Sequence, residues 1–299
     1  MAWPGFQDNG DTLTDLRTNL TWQKDALSSI NNFGASTTQD NAVDFITGQN
    51  SDWRLPNFKE LASLFSYALP NPGVWSGFLN IKPENYWSIS KRMINAPTWG
   101  IPPRYSGWSF NFLNGIVENN IYDLGQDNNF YSFMATKNQG IPGGLSGDDD
   151  FDFTDNNDGT IKDNKTGLMW LNANLSHVMG NRKNWNSAFM LANNVALCND
   201  GTLQGNENKA GDCLANGGVK YDDWRLPNVQ ELMEITKLDN QPGIPSILPN
   251  LSLGVSFYWT GTMFDANNVW YVGDGFCFGM VNYRAKIGEE FNVQLVREE

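Results

Sequence analysis

The sequence predicts an α+β fold, with antiparallel strands and a few short helices set apart from them, built twice in one chain. Three observations predict it. The hexapeptide Asp52-Trp53-Arg54-Leu55-Pro56-Asn57 returns as Asp223-Trp224-Arg225-Leu226-Pro227-Asn228. Thr18-Asn19-Leu20-Thr21-Trp22 and Asn85-Tyr86-Trp87-Ser88 return, in the same order, as Thr166-Gly167-Leu168-Met169-Trp170 and Phe257-Tyr258-Trp259-Thr260. Within each copy the hydrophobic period alternates between that of a strand and that of a helix. A repeat of about 150 residues has the size of a whole domain, not of a solenoid unit. The first domain is expected over residues 1–137, a linker over 138–150 and the second domain over 151–299.

Each domain starts with a hairpin signal. In the second copy Asp155-Asn156-Asn157-Asp158-Gly159-Thr160 stands between Phe153 and Ile161, and Asp-Gly between apolar residues marks a tight turn. The first copy has Asp8-Asn9-Gly10-Asp11-Thr12 there. A calcium loop is the alternative, with Asp155, Asn157 and Asp158 as ligands. Placing Gly159 at the sixth position of such a loop puts Thr154 first and Lys165 twelfth, so the pattern fails at both ends.

A short strand ending at Trp170 follows, then a helix. Trp185, Ala188, Phe189 and Ala192 form one apolar stripe, and Asn184 can cap it. Ala42, Val43, Phe45 and Ile46 take that place in the first copy. The proline of the hexapeptide forces Trp-Arg-Leu to be extended. Asn57 to Glu60 and Asn228 to Glu231 then read as capping boxes. Phe58, Leu61, Leu64 and Phe65 would be the buried face of a second helix, as would Val229, Leu232, Met233 and Ile235. Strands are expected over Trp108 to Phe112 and Trp270 to Phe278, and at the close of each copy over Phe130 to Ala135 and Phe291 to Arg297.

Composition bounds the function. The net charge of −13 and the scarcity of Lys/Arg clusters exclude nucleic acid and disfavour anionic lipid and sulfated polysaccharide. No run of apolar residues is long enough to span a bilayer. The abundance of Gly, Asn, Asp and Trp favours a secreted or cell-surface protein whose signal segment is not part of this chain. Cys198 and Cys213 bracket an insertion that the first copy lacks. A disulfide across an interval of about 15 residues contributes about 3 kcal/mol in the chain-entropy account. Unpaired cysteines are the alternative, and Cys277 reads as a free, buried thiol.

The run Phe153 to Trp170, then Asp223 to Leu232, then Tyr258 to Thr260 resembles the Lcl C-terminal domain family, named after the end domain of a bacterial collagen-like adhesin. Phe6 to Trp22, Asp52 to Leu61 and Tyr86 to Ser88 repeat the match. The resemblance implies tandem C-type-lectin-like domains, related to formylglycine-generating enzymes. It also implies a surface or secreted ligand-binding module, with adhesion to host glycans in the namesake. Some proteins of this general fold are receptor-binding proteins diversified by retroelements. The chain departs from the family at Leu295-Val296-Arg297, where Cys-Val-Arg is frequent, and it has no collagen-like run.

The residues do not assemble an enzyme. His177 is the single histidine, so a Ser-His-Asp triad cannot be built in both copies. Cys277 lacks a partner for oxidase chemistry. Arg54 and Arg225, between Trp53 or Trp224 and a leucine and near Asp52 or Asp223, read as partly buried cations tying strand to helix; a ligand clamp is the alternative.

Binding candidates lie late in each copy. In the second these are Asp265, Asn267, Asn268, Trp270, Tyr271, Asp274, Tyr283 and Arg284; in the first, Trp99, Arg104 and Tyr105. Aromatic rings beside amides and carboxylates suit a glycan or a protein ligand. Trp108 and Trp270 could equally be core residues of a strand. No cofactor is required by this reading. The second function class is a structural subunit of a filament or appendage, since two rigid domains with Asn/Gly-rich loops also suit self-assembly.

Overall fold

Trp22, Trp87 and Trp108 are fully buried in the first half of the chain, and Trp170, Trp259 and Trp270 hold the equivalent places in the second. The structure, a computed structural model, describes residues 5–16, 18–25, 37–49, 52–67, 73–74, 77–94, 104–123, 131–137, 152–172, 182–205, 213–235, 256–274 and 280–299. The border between two compact units falls between Asp149 and Asp150. The expected linker at 138–150 lies outside the described residues.

The first unit runs β1 (Phe6–Asp8), β2 (Thr12–Asp15), β3 (Thr21–Gln23), α1 (Gln39–Gln49), α2 (Phe58–Ser63), β4 (Phe65–Ser66), β5 (Gly73–Val74), β6 (Asn85–Ile94), β7 (Arg104–Asn111), β8 (Val117–Asp123) and β9 (Thr136–Lys137). The strands β1-β2-β3-β9 form one antiparallel sheet. The strands β6-β7-β8 form another, and α1 and α2 pack against it.

The second unit repeats the plan with β10 (Phe153–Asp155), β11 (Thr160–Asp163), β12 (Leu168–Leu171), α3 (Trp185–Asn194), α4 (Val229–Glu234), β16 (Ser256–Met263), β17 (Asn268–Asp274), β18 (Val281–Ala285) and β19 (Val296–Glu298). Its two sheets are β10-β11-β12-β19 and β16-β17-β18, both antiparallel. Between the helices comes an insertion, β13 (Val195–Cys198), β14 (Leu203–Gly205) and β15 (Val219–Tyr221), a small sheet of its own. The Cys198–Cys213 disulfide staples it. The architecture is thus α+β, mostly antiparallel, in two copies.

Local rules explain most of these boundaries. Asn184 accepts from the Ser187 amide at 2.9 Å and starts α3. Asn57 and Glu60, and Asn228 and Glu231, close reciprocal capping boxes on α2 and α4. Gly159 takes a φ of +90° in the β10–β11 turn, and a Cβ there would meet Leu197 at 3.3 Å.

Four expectations need correction. The α2 helix ends at Ser63, with Leu64 as its C-cap and Phe65 in a strand. Ile235 likewise caps α4 from outside. Phe189 is 47% exposed, because Leu191 takes the place in the core that the stripe gave it. Aromatic and polar residues alternate along Trp108 to Phe112, the period of a half-buried strand, yet Ser109 on the polar face is fully buried. The closing segments at Tyr131 to Ala135 and Phe291 to Arg297 are held mainly by isolated bridges, and regular pairing is confined to β9 and β19; Phe130 lies outside the described residues.

Candidate functional site

The duplicated hexapeptide builds a junction. Arg54 exchanges backbone hydrogen bonds with Thr136, and Arg225 with Val296, so each Trp-Arg-Leu joins the closing segment of its own copy. The guanidinium of Arg54 reaches both carboxylate oxygens of Glu60, at 2.7 and 2.6 Å. Arg225 reaches Glu231 at 2.7 and 2.8 Å. The carboxylate partner is therefore the helix-capping glutamate and not Asp52 or Asp223; Asp223 pairs with Arg297 instead. The hydrogen bond to the Glu231 carboxylate holds the Arg225 guanidinium above its ordinary pKa, against the opposing effect of burial.

The prolines carry a second constant. The Pro56 carbonyl accepts from Ile89 and the Pro227 carbonyl from Gly261, each at 2.7 Å, where β6 and β16 break register. Ser90 and Thr262 in those bulges accept from the first amides of α2 and α4. Trp53 and Trp224 are buried. These motif side chains are consumed by structure.

The Asp155 to Thr160 turn is equally occupied. Asp155 Oδ1 accepts from the Asn157 amide. Asp158 Oδ1 accepts from the Thr160 amide and hydroxyl, and Oδ2 from Lys220 at 2.8 Å. Among the described residues no group of three or more His, Cys, Asp or Glu could hold a metal ion.

A different character appears at one end of the β16-β17-β18 sheet. The turn from Phe264 to Asn268 is tied by Asp265, whose Oδ1 accepts from the Asn267 and Asn268 amides at 2.7 and 2.8 Å. Its Oδ2 accepts from Asn268 Nδ2 at 2.8 Å. Those bonds, led by the Asn268 side chain, hold the Asp265 carboxyl below its ordinary range. Asn267 is exposed. Phe264 and Tyr283 stack at 3.8 Å between ring centres. Arg284, exposed, lies 5.7 Å from the Tyr271 ring.

The structure gathers only part of the expected set here. Asp265, Asn267, Asn268, Tyr283 and Arg284 share this end. Trp270 is 0% exposed and Tyr271 2% exposed, so both side chains belong to the core. Asp274 ends β17, and Arg104 and Tyr105 begin β7, with only their backbone described. Trp99, His177 and Cys277 lie outside the described residues.

With this geometry in place, the comparison with known families is decisive. The model of the Lcl C-terminal domain matches residues 11–131 and again residues 159–297. The chain belongs to the Lcl C-terminal domain family. No curated protein and no solved structure matches it. Both matched stretches of this Lcl C-terminal domain protein contain the hexapeptide.

Strand register lines up the two Lcl C-terminal domains position by position. Trp270 faces Tyr283, as Trp108 faces Asn119; Val269 faces Arg284, as Gly107 faces Asn120. After the bulge, Met263 and Phe264 stand where the first domain has Lys91 and Arg92. Phe264, Met263 and Lys286 were not singled out from the sequence. Comparing exposed positions between the copies, in place of buried ones, is the signal that finds them.

Proposed function

We propose that this protein is a secreted or cell-surface bacterial binding module without catalytic activity, made of two C-type-lectin-like domains. Its ligand face lies on the second domain, at the turn from Phe264 to Asn268 and the adjoining Tyr283 and Arg284. The first domain serves as spacer and support. One observation carries this reading. The motif residues shared by both copies are spent on the scaffold, whereas stacked rings, an exposed amide and an exposed guanidinium lie at one sheet end of the second copy. The rings can lie on the apolar face of a sugar or a side chain, and Asn267 and Arg284 can read hydroxyl or carboxylate groups.

The ligand class is a glycan or a protein. The experiment is a glycan array together with a peptide display screen on the full chain, repeated with Asn267→Ala plus Arg284→Ala. Ligands should be lost or weakened at least tenfold by the double substitution, with an unchanged thermal melt. Retained binding by that variant, or turnover of a substrate with a mapped nucleophile, would refute the proposal.

A further inference from the structure

The turn between β16 and β17 is held from two sides. From within, the Phe264 and Asp265 amides donate to the Asn268 carbonyl at 3.0 and 3.3 Å. The Asn267 and Asn268 amides donate to Asp265 Oδ1, and Asn268 Nδ2 donates to Asp265 Oδ2. From without, Lys286 supplies two donors. Its amide reaches the Asn267 carbonyl at 2.9 Å, and its ammonium reaches the Ala266 carbonyl at 2.8 Å. Lys286 is itself seated on the start of α3. Its carbonyl accepts from the Trp185 amide at 3.2 Å, and its ammonium lies 5.1 Å from the centre of the Trp185 ring.

These contacts converge on Asn267. Its peptide N–H is held by Asp265 and its carbonyl by Lys286. Its carboxamide is exposed and has no hydrogen-bond partner among the described residues. A side chain carried on a backbone fixed at both ends presents its donor and acceptor without the ordering cost that a loose loop incurs on binding.

The Asp265 carboxylate is in the opposite situation. Both of its oxygens accept from donors of its own turn. The Asn268 side chain, the two amides and the Lys286 ammonium together keep the carboxyl in its charged form. Hydrogen bonds to an ionised acceptor are about twice as strong as neutral ones, so this carboxylate is suited to holding a turn.

We infer that Asp265 is a positioning residue of the ligand face that acts through Asn267: its carboxylate, backed by Lys286, fixes the turn so that the Asn267 carboxamide, and not Asp265 itself, meets the bound molecule. The inference rests on the reading that this end of the second domain is the ligand face. It removes Asp265 from the groups that contact the ligand and makes it a support for one that does.

The test compares Asp265→Ala with Asp265→Asn in the full chain. Asparagine keeps an acceptor for the two amides, and a turned-over Asn268 carboxamide can accept from its Nδ2; alanine keeps neither. Amide hydrogen exchange reads the turn without any ligand. Exchange at Asn267 and Asn268 should quicken about tenfold in Asp265→Ala and return most of the way in Asp265→Asn. Binding is read with a glycan or peptide selected on the wild-type chain by array or display. Its affinity should fall about tenfold with Asp265→Ala and recover most of that loss with Asp265→Asn. It should be as low in Asp265→Ala with Asn267→Ala as in Asn267→Ala alone. Equal losses with alanine and asparagine at 265 would put the carboxylate itself on the ligand. Unchanged exchange in Asp265→Ala would show that it does not hold the turn, and additive effects with Asn267→Ala would show that the two residues act separately. Each of these results overturns the inference and leaves the proposed function standing. A probe indifferent to Asn267→Ala with Arg284→Ala overturns both.

Discussion

Arg54 and Glu60 meet in a two-pronged ion pair, and the same carboxylate accepts from the Asn57 amide at 2.7 Å. One glutamate thus caps α2 and holds the extended Trp-Arg-Leu segment, whose backbone is bridged to Thr136. Removing the arginine leaves a partly buried carboxylate without its cation. Arg54→Ala is expected to cost about 2–4 kcal/mol, and Arg54→Lys to recover only part of that because the fork is lost. Urea unfolding of the single variants and of Arg54→Ala with Glu60→Ala checks it. Strict additivity of the two single effects would show that the pair is not coupled.

The Asp158–Lys220 contact ties the β10–β11 turn to the insertion. Burial pushes the Asp158 carboxyl up, but the hydrogen bonds from Lys220 and Thr160 outweigh it and hold the group below 3.8. A depressed carboxylate stabilises the folded state above its unfolded pKa and loses that contribution as pH falls through the folded value. The melting difference between the wild type and Asp158→Asn should therefore stay constant from neutral pH to about pH 4 and close below it. A difference that already vanishes near pH 6 rules this pair out as its source.

Reduction separates the halves. The disulfide joins residues 15 apart in the second domain, both buried, and the first domain contains no cysteine. Opening it should destabilise the second domain by about 3 kcal/mol. Calorimetry with and without a phosphine reductant should move one transition and leave the other in place. Equal shifts of both transitions would contradict the assignment.

Gln23 is 3% exposed, and neither its Oε1 nor its Nε2 finds a hydrogen-bond partner among the described residues. The equivalent residue in the second domain is Leu171, whose carbonyl accepts from Gln294 at 2.9 Å. Gln23→Leu is therefore expected to stabilise the first domain by about 1–2 kcal/mol. Loss of stability on denaturant unfolding would mean the amide is satisfied in solution.

Much of this fold was legible in the sequence because the signals are local. The capping boxes at Asn57 and Asn228, the cap at Asn184, the Asp-Gly turn and the bracketed insertion each depend on residues a few positions apart. What failed depended on distant neighbours. Alternation at Trp108 and Trp270 reveals one buried face but not whether Ser109 or Tyr271 is covered from the other side. The choice of Glu60 over Asp52 was within reach, since an N3 glutamate is held at a fixed point by its own cap. The contacts of Lys286 with Trp185 and Met263 join α3, β16 and the turn after β18, and no window along the chain contains them.

The central claim is that the second domain carries the ligand face. The most direct measurement is the affinity of the full chain for one ligand identified by array or display, compared across two double variants. The account predicts that Asn267→Ala with Arg284→Ala weakens binding at least tenfold with no change in melting. It predicts that Arg104→Ala with Tyr105→Ala leaves binding intact. The reverse pattern would place the site on the first domain and contradict the account.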